Sequence, residues 1–459
     1  MNLPTNGKQQ KTPVWGERYS LMEARMKRVI LIIGMFAILG GLVFAVGPRE
    51  KEGVELFLAN VNPDDPTMGA WIAPFVAAHP DVKITEVPVD VQGATTITMD
   101  NRIKSGLPIN AYVDYYSRAG KYTVHPVIKA LDLAKYWPKA DVDAFLPGTL
   151  DPYWIDGKLT AAPYAQMVVG MQINKTILKK AGYTLPAPED WTMDEFLKMC
   201  AAVKKAKIPN TWATEMFAEN RSGDWMYMGW VPAFGAELFA NGYDKTTINS
   251  PEGLKLFEFW KMLQDKGYIP EEAAMMNDDN MIYDRDSGLL AAAGARLGDY
   301  NNPELMQDKL DQGIITEPFE SVYYPYPRSG DKMVPVLGTT TLVVGFESGD
   351  EYVDSLTAEL LGYIVGKRAQ EMFCQQPGSA VVPSRSDVDH GHTEQWFKDA
   401  KAIIDKAGYF DVGGSLPVYN EIRGALFPQL QLLFTGDATP QEALDGYEKA
   451  LNETLDLLK

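Results

Sequence analysis

Cysteine and histidine are scarce in this chain, which contains two Cys and four His among its 459 residues. A disulfide between Cys200 and Cys374 would be compatible with an oxidising compartment. Two buried free thiols are the alternative, since free Cys is among the most buried residue types. With so few His, nothing in the sequence supports a His-based catalytic site.

Positive charge is also in short supply, with 43 Lys and Arg against 61 Asp and Glu and a net charge of −18. A nucleic-acid partner is disfavoured, because binding to phosphates requires Lys and Arg. Acidity of this size is typical of a soluble protein surface. The length and the hydrophobic content of 46% predict a globular body of two domains or one large domain.

Several catalytic motifs are missing or incomplete. The chain has no G-x-S-x-G elbow. "GYIVGK" at residues 362–367 is one residue short of a phosphate loop and lacks the following Ser or Thr. "DRDSG" at residues 284–288 begins like a calcium loop, but Gly288 and Ala295 stand where two ligands belong. Paired carboxylates for glycoside hydrolysis are not excluded, although nothing singles out two of them.

The strongest metal candidate is "SDVDHGH", which contains Asp387, Asp389, His390 and His392. Carboxylates and imidazoles are zinc ligands. Ligands this close in sequence rarely all reach one ion without distant partners, which favours a solvated loop. The sequence therefore predicts no metal and no cofactor.

One long apolar run lies near the N-terminus. Lys27 and Arg28 precede an unbroken apolar or Gly run over residues 29–46, and residues 43–45 fit a cleavage site. This is the order of a secretory signal, but the run is also long enough for a marginal membrane span. Residues 1–45 are thus a tail with a signal peptide starting at Met26, or an uncleaved anchor. The basic residues place the N-terminus in the cytoplasm, so we expect the body to be periplasmic or otherwise extracytoplasmic.

The body begins with alternating strands and helices: a strand at 54–59, a helix at 68–78, and strands at 81–91 and 111–117. This order predicts a largely parallel sheet with helices on its faces. In such sheets ligands bind beyond the carboxyl ends of the strands. Those ends are residues 60–65 and 115–118.

Helix signals dominate the middle and the end of the chain. Thr192, Ser250 and Thr439 are the predicted N-caps of three helices. In the second of these, Trp260 shares the apolar face and is predicted to lie in the core. The predicted apolar stripe of the last helix comprises Leu444, Tyr447, Leu451 and Leu458. Strands at 321–327 and 340–346 follow the middle helices, which suggests a chain that crosses between two lobes and returns.

Two segments carry a family resemblance: "DGKLTAAPYAQMVVGMQINKTILKKAGYTLPAPEDWTMDEFLK" at residues 156–198 and "GDATPQEALDGYEKALNETL" at 436–455. With them, residues 54–458 resemble the extracellular solute-binding proteins of ABC importers, the group that includes maltose-binding protein. Ile173 replaces the Tyr usual before Asn-Lys. Arg296 follows Gly294 and Ala295 where the family has an aromatic residue, which implies either a smaller or more polar ligand or a shift of the stacking role to Tyr300.

The resemblance implies an α/β fold of two lobes, with a ligand cleft between lobes joined by hinge strands. Residues 54–166 and 328–380 would form lobe 1, and residues 167–327 and 381–459 lobe 2. It also implies hinge closure around a sugar, oligosaccharide or related polyol, then docking of a monomer on a membrane permease, without catalysis. A membrane-anchored ligand sensor and a secreted carbohydrate-active enzyme are the alternatives.

The resemblance also implies a set of cleft residues. Trp225 is the closest match to the family's sugar platform, Trp230 is undecided between cleft and core, and Arg423 with its neighbour Tyr419 is weaker. Sugars stack their C–H faces on aromatic rings and require polar partners for their hydroxyls. The expected ligand-binding residues are Asn60, Asn62, Asp64, Tyr116, Ser117, Arg118, Tyr164, Gln166, Asp224, Trp225, Trp230, Arg296, Tyr300, Thr339 and Arg423.

Overall fold

The computed structural model describes residues 53–89, 97–219, 225–239, 243–328, 336–376, 382–406, 408–410, 412–413, 416 and 418–458. The apolar run at 29–46 lies outside these ranges, so the signal peptide and the anchor stay predictions. Within the described ranges, no helix combines the length and the apolar character needed to cross a membrane.

The strands of the described residues form one large mixed sheet and a small hairpin. In chain order they are β1 Glu55–Ala59, β2 Lys83–Val87, β3 Ala111–Tyr115, β4 Trp154–Ile155, β5 Lys158–Leu159, β6 Ala162–Asn174, β7 Ala292–Arg296, β8 Ser321–Tyr324, β9 Val336–Gly345 and β10 Gly408–Tyr409. β4 and β5 form the hairpin. The other eight strands share the large sheet.

The start of the large sheet is parallel, as predicted, because β1 pairs in parallel with both β2 and β3. The prediction of a largely parallel sheet is wrong for most of the rest, although β10 also pairs in parallel with β9. β9 inserts beside β3 in the antiparallel direction, and β6 pairs antiparallel with β9. The far end of β6 then pairs antiparallel with β7 and β8. The 13-residue strand β6 therefore connects the two ends of the sheet.

The helices surround this sheet. They are α1 Pro66–Ala78, α2 Ile97–Lys104, α3 Tyr116–Ala119, α4 Leu133–Tyr136, α5 Lys139–Asp143, α6 Lys175–Ala181, α7 Met193–Ala206, α8 Trp225–Met228, α9 Trp230–Ala233, α10 Pro251–Asp265, α11 Asp278–Asp286, α12 Pro303–Asp311, α13 Glu351–Val365, α14 Lys367–Cys374, α15 Gln395–Ile404, α16 Tyr419–Gly424, α17 Leu426–Thr435 and α18 Pro440–Leu455. Short 3₁₀ turns follow several of them.

Local chemistry fixes the predicted helix starts. The side chains of Thr192, Ser250 and Thr439 each accept a backbone N–H three residues on, and Thr439 forms a full capping box with Glu442. Each cap satisfies a backbone donor that the first helical turn leaves unpaired. The predicted stripe of the last helix is wrong at one position, because α18 ends before Leu458, which is 40% exposed.

Two large apolar cores pack against the sheet. Core A takes its buried residues from 56–162 and 342–369, around β1, β3 and β9. Core B takes its buried residues from 169–293, 324–326 and 418–455, and Trp260 lies inside it, 1% exposed, as predicted. A smaller cluster, centred on Phe397, packs at residues 297–323 and 397–403. The protein therefore has the α/β architecture that was expected, while the predicted lobe boundaries stay predictions.

Candidate functional site

The turn after β1 is held by its own polar side chains. Asn60 has a left-handed φ of 58° and donates from its side chain to the carbonyl of Val113 at 3.0 Å. The side chain of Asn62 accepts the backbone N–H of Asp64 at 2.8 Å. Asp65 caps α1. The side chains of Asn60 and Asn62 therefore stabilise the turn itself through these hydrogen bonds. The carboxylate of Asp64 is exposed to solvent.

The end of β3 presents two tyrosines and a buried ion pair. Tyr115 is 54% exposed and Tyr116 is partly buried. Arg118, by contrast, forms two hydrogen bonds with Asp114 of 2.6 and 2.5 Å, and both side chains are more than nine-tenths buried. The expected role of Arg118 at the ligand is therefore corrected, because its guanidinium is engaged inside core A. The side chain of Ser117 lies outside the part that the structure describes.

The crossing strand β6 places two predicted residues beside core A. Tyr164 is partly buried, hydrogen bonds with Thr341, and packs edge-on against Trp71 at 5.3 Å between ring centroids. Burial raises the pKa of its hydroxyl. Gln166 is 4% exposed, and its amide donates to Thr149 at 3.2 Å. Tyr164 keeps a solvent-facing part, whereas Gln166 is buried in the crossing and its amide oxygen has no hydrogen-bond partner among the described residues, so its ligand contact stays a prediction.

Thr339 stands opposite Gln166 in the register of β9 and β6. Its side chain is outside the described residues, as is the whole of Asp224. Trp225 opens the short helix α8, and its side chain also lies outside what the structure describes. The ligand contacts expected of these three residues stay predictions.

Trp230 belongs to core B. It is 3% exposed, and its ring centroid lies 5.0–5.2 Å from those of Phe196, Phe259 and Tyr326. An aromatic residue surrounded in this way contributes through its buried apolar area and edge-to-face contacts. The expectation of a ligand contact at Trp230 is therefore corrected to core packing.

Arg296, at the end of β7, is the exposed member of the Gly-Ala-Arg segment. Its side chain is 40% exposed and forms an ion pair with Asp299, which includes a hydrogen bond of 2.9 Å. Burial lowers the pKa of Arg296. The charge of Asp299 and the hydroxyls of Tyr115 and Tyr116 raise the pKa by more than burial lowers it, so the net shift is upward. Arg296 thus lies within electrostatic reach of Tyr115, the last residue of β3, and of Tyr116.

Tyr300 does not take over the missing aromatic role. It is 3% exposed, its hydroxyl donates to the carbonyl of Ser321 at 2.8 Å, and its ring packs against Tyr323 and Trp396. The expected shift of ligand stacking to Tyr300 is therefore corrected, because the side chain is fully used in the Phe397 cluster.

The two cores meet at Tyr116. Its ring packs against both cores, and its hydroxyl lies 2.8 Å from that of Tyr419, a buried residue of core B. The two ring centroids are 5.2 Å apart. The guanidinium of Arg423 lies 5.7 Å from the Tyr419 ring centroid and also lines a surface groove of about 720 Å³. Tyr116, Tyr419 and Arg423 thus form a polar and aromatic junction between the cores, and Arg296 lies within electrostatic reach of Tyr116.

The metal candidate and the cysteines are used structurally. Asp387 pairs with the buried Arg385, and His392 contacts Glu394. Among the residues that the structure describes, no three His, Cys, Asp or Glu side chains could hold a metal ion together. Cys200 and Cys374 are buried thiols that form no disulfide with each other, and burial raises the pKa of both.

Sequence reasoning missed Glu215, a carboxyl group that is 4% exposed next to β7. The available signal was its position in "WATEMFA", where one acid interrupts an apolar run. An acid in such a run must be paired or neutral, because burying an unpaired charge is costly.

Two cores that share one sheet and meet at a polar and aromatic junction define a two-lobed binding protein. A family model described as bacterial extracellular solute-binding protein matches residues 70–403. The chain belongs to this family. It is 23% identical over 337 residues to the sn-glycerol-3-phosphate-binding periplasmic protein UgpB of Shigella dysenteriae serotype 1, covering 69% of this chain and 72% of that protein.

Solved structures share the fold. The cyclic alpha-maltosyl-1,6-maltose binding protein from Arthrobacter globiformis superposes with a TM-score of 0.67 at 16% identity, covering 88% of this chain and all of that one. An ABC transporter solute-binding protein from Thermotoga lettingae, bound with alpha-D-tagatose, gives a TM-score of 0.65 at 17% identity, with coverages of 88% and 100%. At these identities the likeness establishes the two-lobed fold.

Proposed function

We propose that the chain is the extracytoplasmic binding component of an ABC importer, which captures a sugar, an oligosaccharide or a related polyol between its two cores. The observation that carries this proposal is the junction at Tyr116, where side chains of both cores come within hydrogen-bond distance. A ligand that bridges such a junction stabilises the closed arrangement of the lobes, and the closed form then docks on a membrane permease. The partners are the ligand and the permease, and the protein acts as a monomer.

The chemistry of the junction favours a neutral polyol. Tyr115 and Tyr116 offer ring faces and hydroxyls, which suit the C–H faces and hydroxyls of a sugar. The guanidinium of Arg296 pairs with the carboxylate of Asp299, so its charge is already compensated. The relatives support two ligand classes, since one is named for a maltosyl ligand, one is bound with tagatose and one is named for glycerol 3-phosphate. The paired Arg296 favours the neutral sugars.

A thermal-shift screen and titration calorimetry test the proposal. We expect a neutral mono- or oligosaccharide to raise the melting temperature and to bind 1:1, because ligand binding to the folded state stabilises it. Glycerol 3-phosphate is the anionic comparison. Product analysis of the same mixtures should show unchanged ligand, since the family consists of binding proteins. Catalytic turnover, or no response across the panel, would refute the proposed function.

Trp225 supplies a sharper test. We expect Trp225→Ala to weaken binding by roughly 1–3 kcal/mol through loss of stacking, with the fold intact. Trp154→Ala is the matched control, because Trp154 is 43% exposed on the β4–β5 hairpin. Equal affinities of the two variants would remove Trp225 from the site. N-terminal sequencing of the exported protein separates a cleaved binding protein from an anchored sensor.

A further inference from the structure

Glu215 completes the hydrogen bonding of the edge strand β7. The chain at residues 212–213 runs along this edge, and the N–H groups of Ala291 and Ala292 donate to the carbonyls of Trp212 and Ala213. At Gly294 the backbone pairing gives way to a side chain, because Glu215 Oε1 accepts the Gly294 N–H at 2.6 Å. A carboxyl group therefore takes the place of a strand carbonyl.

Three groups converge on Gly294. A Cβ at this position would lie 2.9 Å from Glu215 Oε1, 3.0 Å from the Tyr326 hydroxyl oxygen and 3.3 Å from the Cα of Met226. The Tyr326 hydroxyl also donates to the Met226 carbonyl at 2.8 Å. Helix α8, which begins at Trp225, is thus seated directly on β7 and beside the Glu215 carboxyl.

The carboxyl has little compensation in this place. Its second oxygen has no hydrogen-bond partner among the residues that the structure describes. Two buried tyrosine hydroxyls, of Tyr227 and Tyr326, face it as neutral groups, since burial raises the pKa of both. A buried carboxylate with one hydrogen-bonded oxygen is strongly disfavoured.

The charged neighbours of Glu215 do not stabilise its ionised form enough to offset burial. Burial raises the pKa of Glu215 to about 8, and the Gly294 N–H and Arg285 lower it less. The Arg285 guanidinium pairs with Asp286 at 3.1 Å, and the carboxylate of Asp284 raises the pKa of Glu215 further. The side chain is therefore a neutral carboxylic acid near neutral pH.

We propose that Glu215 is a positioning residue that holds α8 and the end of β7 in their ligand-binding arrangement while it is protonated. This inference rests on the proposed function, in which Trp225 on α8 and Arg296 on β7 face the ligand. Ionisation places a charge between Met226 and Gly294 that the Gly294 N–H and Arg285 offset only in part, which loosens the contact of α8 with β7. Ligand affinity then falls as the pH rises.

Hydrogen–deuterium exchange tests the positioning without a ligand. Exchange of peptides covering 225–228 and 292–296 is measured on the full chain between pH 6.5 and 9, corrected for intrinsic base catalysis. In the wild type we expect the protection of both peptides to fall by about tenfold per pH unit as the pH rises toward 8, and to level off above it. Glu215→Gln keeps the acceptor and the volume but cannot ionise, so its protection should stay constant. A flat wild-type profile, or equal slopes in both proteins, would overturn the proposal.

Calorimetry with the sugar that binds best in the screen provides the second arm. The wild-type Kd should rise about tenfold between pH 7 and 9, and that of Glu215→Gln should not. Glu258→Gln, at an exposed position on α10, is the control and should follow the wild type. A pH-independent wild-type Kd alongside pH-dependent exchange would make Glu215 purely structural and overturn the proposal. If no sugar binds, the proposed function fails. The exchange profiles then show by themselves whether protonated Glu215 holds α8 against β7.

Discussion

Substitutions at the buried pair of Asp114 and Arg118 can show whether Arg118 stabilises the fold or binds the ligand. Arg118 was expected from sequence to contact the ligand, but the structure joins it to Asp114 through two hydrogen bonds of 2.6 and 2.5 Å. Only 8% of the arginine side chain and 4% of the aspartate side chain are exposed. We therefore expect substitutions of either residue to act first on the stability of core A.

The two single substitutions should differ in size. Asp114 also accepts hydrogen bonds from the Tyr112 hydroxyl and from the Tyr115 backbone N–H. Arg118→Met thus leaves a carboxylate that still has two donors, and we expect a loss of about 2 kcal/mol in the free energy of unfolding. Asp114→Asn leaves a buried guanidinium without its counter-charge, and we expect a loss of about 3–5 kcal/mol.

Urea unfolding followed by circular dichroism measures these losses, and the double variant gives the coupling of the pair. We expect a coupling of about 1–3 kcal/mol. Lys139→Met is the control, because Lys139 and Asp143 form an exposed i,i+4 pair of little value. The reasoning would be refuted if Arg118→Met unfolded like the wild type and lost ligand binding, since Arg118 would then face the ligand.

Three further predictions concern other parts of the site. Tyr419→Phe removes the hydroxyl that meets Tyr116, and we expect calorimetry to show an affinity loss of up to about tenfold, since one hydrogen bond contributes about 0.5–1.5 kcal/mol. Gly229→Ala places a Cβ 2.0 Å from a ring carbon of Tyr326, and should reduce the free energy of unfolding by about 3 kcal/mol or more. Since the folded-state pKa of Glu215 is raised from 4.5 to about 8, the stability that its protonation provides is fully present below pH 4.5. It is lost by about 1.4 kcal/mol per unit as the pH rises toward 8, and Glu215→Gln should lack this slope in urea titrations.

Each of these has a contrary outcome. A Tyr419→Phe variant with wild-type affinity would show that the junction contact plays no part in binding. Gly298→Ala is the control for Gly229→Ala, because a Cβ at Gly298 would meet no described atom within 4 Å, and equal stabilities of the two variants would contradict the steric argument. Parallel pH profiles of the wild type and Glu215→Gln would place the titrating group elsewhere.

The features that sequence predicted correctly depend on residues close together in the chain. The caps at Thr192, Ser250 and Thr439 involve a side chain and a backbone N–H three residues away, so the local sequence determines them. The parallel start of the sheet likewise follows from the alternation of neighbouring strands and helices.

The errors arose where distant segments decide the structure. The burial of Trp230 and Tyr300 depends on Phe259, Tyr326 and Trp396, which periodicity near those residues does not reveal. The sheet is mixed because β9 enters beside β3 from far along the chain. For Arg118 the partner was close in sequence, but its burial was set by core A as a whole.

The antiparallel insertion of β9 has a consequence for biogenesis. Ala111 pairs with Gly345, and Ala162 pairs with Val343, so the middle of core A is absent until the ribosome has passed residue 345. Domains usually fold as units during synthesis, and non-local strand pairing is slow. Core A is therefore completed only after the core B residues at 169–326 have been made. Until then the edge of β3 that pairs with β9 has no partner strand.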